Sequence, residues 1–161
     1  MIILADFSVP GVVKSERKRQ RFIPGKGRVG KRTDEPDRAD FKARVSLCAK
    51  QAMPTPYAGP VRLTIIVSRP QPASYPKKPT KSKPWPWADM TKPDADNYAK
   101  IMQDALNGIL FVDDAQIVDL RVCKLFGEHG VRVVMHAADE TARWLLMGIN
   151  YRPLPAGIYA D

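Results

Sequence analysis

Four aspartates lie in two close pairs within a short stretch of this 161-residue chain. Asp94 and Asp96 belong to the sequence Lys-Pro-Asp-Ala-Asp-Asn-Tyr-Ala-Lys, and Asp113 and Asp114 belong to Val-Asp-Asp-Ala-Gln-Ile. Clustered carboxylate oxygens bind hard divalent ions, which activate water and stabilise a departing oxygen. The two pairs therefore indicate a metal-dependent hydrolytic site.

The chain around these acids is basic. It has 26 Lys and Arg against 17 Asp and Glu, a formal net charge of +9, and a pI of about 9.7. Such a charge favours a polyanionic partner, because lysine and arginine collect the phosphates of nucleic acid, although a membrane-surface or ribosomal protein has a similar balance. The two cysteines are far apart, and with only two histidines beside them there is no cluster of soft-metal ligands, so a zinc site is improbable. No apolar run approaches the roughly 18 residues that span a bilayer, so we expect a cytoplasmic protein.

The first acidic pair lies at the start of the clearest helix in the sequence. Either Asp94 or Asp96 can cap this helix, and Lys100 is one turn beyond Asp96, so the two can share a face. A lysine beside acidic metal ligands suits phosphodiester cleavage, where it can hold the phosphate or offset developing charge. Five apolar residues at i, i+3, i+4, i+7 and i+8 predict one buried stripe: Tyr98, Ile101, Met102, Ala105 and Leu106.

The second acidic pair follows a short apolar strand predicted at 109–112. We expect the strand end to bring one of these carboxylates back to the start of the helix. Because neighbouring strand residues face opposite ways, only one of Asp113 and Asp114 is expected to be a ligand. Each acid also has an ordinary structural interpretation. Asp96 can be a plain N-cap with Lys100 as its i,i+4 partner, and Asp113-Asp114 can be a polar turn.

The remaining patterns predict a single α+β domain over residues 1–161, with a mixed or antiparallel sheet and helices packed on one side. Asp139 is expected to begin a last short helix. Strands are predicted at 2–9, at 61–67 and at 117–126, the last joined as a hairpin to a strand at 131–135, and a helix is predicted from 33–36 to about residue 52.

Two irregular segments carry much of the positive charge. The segment 14–32 has nine basic residues against one acid and no core periodicity, so we interpret it as a basic loop that follows a phosphate backbone. A merely solubilising loop is the alternative. The candidate DNA-binding residues here are Lys14, Arg17, Lys18, Arg19, Arg21, Lys26, Arg28, Lys31 and Arg32.

The segment 69–93 is rich in proline and lysine and contains Trp85 and Trp87. Proline at this density is incompatible with a helix interior or a central strand, so an extended surface loop is predicted. The tryptophans beside lysines are typical of surfaces that stack on unpaired bases, but they can equally pack the loop against its own domain. The candidate phosphate-binding residues of this loop are Lys77, Lys78, Lys81 and Lys83.

The order and spacing of the acidic motifs resemble the RusA family of Holliday-junction resolvases. The resemblance rests on Asp-x-Asp-Asn-x-x-Lys at 94–100, on Asp-Ala-Leu-Asn-Gly at 104–108, and on Asp-Asp-Ala-Gln at 113–116 with Asp119 and Lys124 after it. These motifs span about 35 residues. The long Pro/Lys/Trp segment departs from the pattern as we know it and leaves junction specificity open.

The resemblance implies a homodimeric, Mg²⁺-dependent endonuclease (Mn²⁺ being an alternative ion) that makes paired nicks across four-way junction DNA in recombination and repair, in a bacterium or a phage. Its catalytic and metal-binding carboxylates would be Asp94, Asp96 and Asp114, with Lys100 as the essential lysine. Two rival functions remain: a protein that binds branched DNA without cutting it, and a nuclease for RNA, or a phosphatase, with the same metal chemistry.

Overall fold

The computed structural model describes residues 2–13, 20–23, 27–30 and 36–138. Within these ranges the chain forms six strands, two α-helices and a single 3-10 turn, Asp114–Gln116. The strands are β1 (Ile3–Pro10), β2 (Gln20–Ile23), β3 (Gly27–Gly30), β4 (Val61–Arg69), β5 (Ile117–Phe126) and β6 (Gly130–Ala137), and the helices are α1 (Pro36–Ala52) and α2 (Ala95–Leu106).

Strand β4 lies inside a four-stranded mixed sheet of order β1-β6-β4-β5. It pairs antiparallel with β6 and parallel with β5. The predicted hairpin between β5 and β6 is therefore wrong, because β4 lies between them. The connection passes over the end of β4, where Gly127 N donates to Arg69 O at 2.9 Å and Ser68 Oγ contacts Glu128 O. Strand β4 is therefore hydrogen-bonded on both edges, and Val61, Leu63, Ile65 and Val67 along it are buried.

Both α-helices contribute to one hydrophobic core with the sheet, which confirms the predicted α+β architecture. From β4, Leu63, Ile65 and Val67 lie fully buried opposite Met135, Val133 and Val131 of β6. The helices are also tied to each other, since Ser46 Oγ donates to Ala105 O at 2.8 Å. The helical part of the core is formed by Phe41, Val45 and Ala49 of α1 and by the predicted stripe of α2, Tyr98, Ile101, Met102, Ala105 and Leu106.

Two further predicted elements differ in the structure, and a third lies outside the described residues. The apolar run 109–112 is not a strand: it turns back on α2, with Ile109 N and Leu110 N both donating to Leu106 O at 3.0 Å. The basic segment is not wholly irregular, because β2 and β3 pair antiparallel within it. The predicted helix after Asp139 lies outside the described residues.

Within the described ranges, neither helix is long and apolar enough to cross a membrane. Helix α2 begins after Asp94 and ends at Asn107, followed by Gly108 with φ of 72°. That left-handed conformation favours glycine, so the Asn-Gly sequence suits the end of this helix.

Candidate functional site

The first acidic pair is exposed at the amino end of α2. Asp94 is the N-cap residue, but its carboxylate makes no capping hydrogen bond and contacts Lys92 Nζ instead. Asp96 lies in the first turn and accepts a hydrogen bond from Asn97 Nδ2 at 3.2 Å. Both carboxylates therefore face solvent, where they can exchange these contacts for an ion.

Lys100 is exposed one turn beyond Asp96. No ion pair joins them among the described ion pairs of this region, so the ordinary i,i+4 interpretation is not realised. Lys100 thus keeps its ammonium group in solvent beside the acidic pair. That position suits a group that holds a phosphate.

A buried ionic network supports the backbone that leads into α2. Arg69, at the end of β4, bonds both oxygens of Asp89, at 2.5 and 2.8 Å, and donates to Lys92 O at 2.9 Å. Lys124 Nζ, near the end of β5, donates to Thr91 O at 2.6 Å. Asp89 is only 5% exposed. Two strand ends therefore fix the segment immediately before Asp94.

The charge state of Asp89 follows from the same contacts. Burial opposes its ionisation, but hydrogen bonds from Arg69 and Thr91 outweigh burial and lower the pKa of the Asp89 carboxyl. The pKa of Arg69 is raised, chiefly by its hydrogen bond to Asp89. The pair is thus charged near neutral pH. The sequence offers one signal for this support, since Asp89 is the single acid between Arg69 and Asp94.

The second acidic pair divides into a structural residue and an exposed one. Asp113 caps the 3-10 turn: its side chain accepts from Ala115 N at 2.8 Å, and its own N–H donates to Gln116 Oε1 at 2.9 Å. Gln116 Nε2 anchors the turn on Tyr57 O and Gly59 O, at 3.0 and 2.7 Å. Asp114 is exposed; its backbone carbonyl accepts from Ile117 N, but its carboxylate makes no hydrogen bond to a described residue. This arrangement favours Asp114 as the ligand.

The two acidic pairs lie at opposite ends of α2. The turn Asp114–Gln116 follows Phe111, which bridges Asn107 at the carboxyl end of the helix and Tyr57 before β4. Asp94 is at the amino end, beside the far end of β4. Helix α2 has 12 residues, and such a helix is about 18 Å long. Within one chain, the expected return of Asp114 to the start of the helix does not occur.

No group of three His, Cys, Asp or Glu side chains lies close enough to share an ion within the described ranges. The donors are chemically suitable, because exposed carboxylates are the ligands that Mg²⁺ prefers. Of the predicted catalytic and metal-binding residues, all of which are described, one chain brings together only Asp94, Asp96 and Lys100. The carboxylate set is therefore divided between two places on the molecule.

Most candidate DNA-binding residues of the segment 14–32 lie outside the described ranges, whereas those of the segment 69–93 are all described. In the first segment only Arg21 and Arg28 belong to described strands, where Arg21 pairs with Val29 and Arg28 with Phe22. In the second, Lys83 is half-buried with its ammonium 4.1 Å from the Tyr75 ring centroid. The exposed lysines of that loop are Lys77, Lys78 and Lys81, and the basic residues outside the described ranges are Lys14, Arg17, Lys18, Arg19, Lys26, Lys31 and Arg32.

Comparison with known proteins adds two findings. A family model described as endodeoxyribonuclease RusA matches residues 10–136 of this chain. The chain is also similar to a Bacillus subtilis (strain 168) protein, "Uncharacterized protein YqaN", at 44% identity over 92 residues. That alignment covers 55% of this chain and 65% of the relative. The residues matched by the family model include both acidic pairs.

Proposed function

Because this chain belongs to the RusA family of endodeoxyribonucleases, we propose that it is a Mg²⁺-dependent endonuclease that resolves four-way DNA junctions by paired symmetric nicks. This activity would serve DNA recombination and repair in the cytoplasm of a bacterial cell, as a host or a phage function. One observation carries the proposal: Asp94 and Asp96 are exposed together at the start of α2, with Lys100 one turn further on.

Asp94, Asp96 and Asp114 would hold the ion, with Mn²⁺ as an alternative to Mg²⁺. When bound, such an ion lowers the pKa of the attacking water and offsets charge on the phosphoryl oxygens. Lys100 would bind the scissile phosphate and stabilise negative charge as the 3′-oxygen leaves. Lys92 would release Asp94 to the ion, an exchange that is cheap because the two side chains are 74% and 51% exposed.

A homodimer would reunite the divided carboxylates. Strand β5 is at the edge of the sheet, and its outward residues Val118 and Leu120 are 57% and 38% exposed. Residues 87–89 already cover its far end, where Phe126 N donates to Trp87 O at 2.9 Å. Among the described residues, nothing pairs with the outer edge of the first part of β5, and such an edge is a template for pairing with another strand.

Two β5 edges related by a two-fold axis pair antiparallel. The start of one β5 then lies beside the end of the other, which carries Lys124 and the segment that leads to Asp94. Asp114 of one copy would in this way approach Asp94 and Asp96 of the second copy. Two such sites per dimer match two symmetric cuts. The basic segments 14–32 and 77–83 would hold the junction arms through phosphates, so affinity should fall steeply with salt.

The activity is tested with a labelled four-way junction, incubated with Mg²⁺ or with EDTA, beside a linear duplex and a single-stranded RNA of matched length. We expect metal-dependent cutting of the junction at symmetric positions. Binding of the junction without any cutting would instead identify a structure-specific binding protein. Preferential cutting of the RNA would identify the other rival.

The shared site is tested by mixing two inactive variants, Asp96→Asn and Asp114→Asn. In a mixed dimer with shared sites, one site contains both substitutions and the other contains neither. We expect the mixture to recover single nicks that each variant alone cannot make. If both carboxylates of a site come from one chain, the mixture stays inactive and the shared arrangement is refuted. Premixed Asp96→Asn and Asp94→Asn, which alter the same half-site, provide the matched control.

A further inference from the structure

The segment Trp-Pro-Trp-Ala at 85–88 forms a turn with both indoles in solvent. Ala88 N donates to Trp85 O at 3.1 Å, which closes the turn with Pro86 in its second position. The fixed φ of proline suits that position. Trp85 is 56% exposed and Trp87 is 60% exposed. More than half of each tryptophan is therefore available to a ligand.

The loop obtains its packing from another aromatic residue. Tyr75 is 5% exposed, and its ring meets the Phe126 ring edge-on with centroids 4.7 Å apart. Its hydroxyl donates to Ala88 O at 3.4 Å, and Lys83 lies over its face. The loop is thus anchored without the indoles, which leaves their exposure unexplained by folding.

The backbone beneath the indoles is held firmly. Phe126 N donates to Trp87 O at 2.9 Å, and Asp89 N donates to Lys124 O at 3.1 Å. Gln71 Nε2 donates to Pro86 O at 3.3 Å. Because both indoles rise from an ordered turn, they lose little conformational freedom when a ligand covers them.

The surroundings identify the chemistry of that ligand. Between residues 70 and 88 the chain has four lysines and no acidic residue, and three of the lysines are exposed. Exposed aromatic faces among positive charges are the features that bind unpaired bases and their phosphates. The turn is also adjacent to the Asp89 network, which leads directly to Asp94. The indoles therefore lie on the same side of the molecule as the start of α2.

We propose that Trp85 and Trp87 form a stacking platform for unpaired bases of branched DNA, next to the phosphate that is cut. This inference rests on the proposed function and adds the element that recognises opened base pairs. Lys77, Lys78 and Lys81 bind the adjoining phosphates. The platform contributes to binding of junctions with unstacked bases at the crossover, and it contributes nothing to binding of an intact linear duplex.

The test measures equilibrium binding in EDTA, where metal-dependent cutting is absent, with a junction that carries 2-aminopurine at its branch point. The variants are Trp85→Ala, Trp87→Ala and the conservative Trp87→Phe. Leu47→Ala, which truncates a side chain 58% exposed on α1, is the matched control. Each Trp→Ala change should weaken junction binding about 10-fold and reduce the 2-aminopurine signal change. Trp87→Phe should keep most of the affinity, and Leu47→Ala should match the parent.

Linear-duplex binding and urea unfolding should be the same for all of these proteins. Equal junction affinity and equal 2-aminopurine response in the parent and both alanine variants would overturn the platform while leaving the nuclease proposal intact. Equal losses on junction and linear duplex would also overturn it, because they would identify a general backbone contact. Absence of DNA binding by the parent chain would overturn both proposals.

Discussion

The two ends of α2 both present exposed aspartates, but they are built differently. At the amino end, Arg69 and Lys124 come from the ends of two strands and fix residues 89–92 before Asp94. At the carboxyl end, Asp113 caps its own 3-10 turn. The amino end therefore depends on charged side chains from the strand ends, whereas the carboxyl end combines a local cap with neutral hydrogen bonds from Gln116 to Tyr57 O and Gly59 O. The two acidic motifs lie close together in sequence but are supported in different ways. Substitutions in the supporting residues should therefore affect the two ends of α2 differently.

The largest expected effect separates the two members of the second acidic pair. Asp114→Asn should reduce junction cleavage roughly 10³-fold with an unchanged unfolding temperature, because it removes a proposed ligand whose carboxylate makes no hydrogen bond to a described residue. Asp113→Asn should retain most activity and most stability, since asparagine also caps. Asp113→Ala should cost about 1 kcal/mol of unfolding free energy through the lost cap. Cleavage rates and thermal unfolding measure both. Equal loss of cleavage in folded Asp113→Asn and Asp114→Asn would contradict the assignment.

The next largest expected effect comes from the Arg69–Asp89 pair, which supports the segment before Asp94. Asp89→Asn leaves Arg69 without its buried carboxylate, and we expect a loss of about 3 kcal/mol of unfolding free energy, the low end for buried pairs because the Arg69 side chain is 23% exposed. Urea unfolding gives this value.

Asp119→Asn is the matched control for that support, because it also breaks a buried pair, Asp119 with Arg62 at 2.5 Å, but at the other end of β4. We compare the loss of cleavage rate, measured on folded protein, with the loss of unfolding free energy in each variant. For the same loss of unfolding free energy, Asp89→Asn should reduce the cleavage rate more than Asp119→Asn does. The reverse order would show that the network does not position Asp94.

The smallest effect is a dependence of stability on pH. The pKa of Asp89 is lowered from its ordinary value of 3.8, so the stabilisation is fully present above that value and is lost as the pH falls through the lowered pKa. Unfolding free energy measured between pH 6 and pH 3 should decline less in Asp89→Asn than in the parent. Asp6→Asn removes an exposed carboxylate whose pKa is lowered by its hydrogen bond from Arg132; because solvent screens that pair, it should reduce the decline less than Asp89→Asn does. Parallel curves for Asp89→Asn and the parent would exclude this origin.

Local sequence patterns predicted single helices and strands well, but they did not predict which strands lie next to each other in the sheet. The stripe from Tyr98 to Leu106 predicted α2 because helical spacing is a property of the segment itself. The β5–β6 hairpin failed because strand adjacency depends on β4, which lies more than 45 residues before either strand. The run 109–112 is apolar because Leu110 and Phe111 are fully buried, and burial alone does not distinguish a strand from a turn.

For the candidate site, the sequence predicted which residues are exposed acids and in what order they occur, but not the distances between them in the folded chain. Asp94, Asp96 and Asp114 are all exposed, as ligands should be. Their division between the ends of α2 could not be predicted, because it depends on the turn at Phe111 and on the parallel pairing of β5 with β4. The Arg69–Asp89 pair was missed because its partners are 20 residues apart and meet only in the folded chain.

The parallel pairing of β4 with β5 has a consequence for how this domain can vary. Two parallel neighbours need a long crossover, and here that crossover contains the proline-rich segment before α2. The entropy of closing a flexible loop rises only about 0.6 kcal/mol for each doubling of its length. Related chains can therefore lengthen or shorten the stretch that carries the two tryptophans at little thermodynamic expense. Provided that Asp89 and its contacts remain, the proposed recognition of DNA branches can diversify while the sheet and the proposed catalytic residues stay the same.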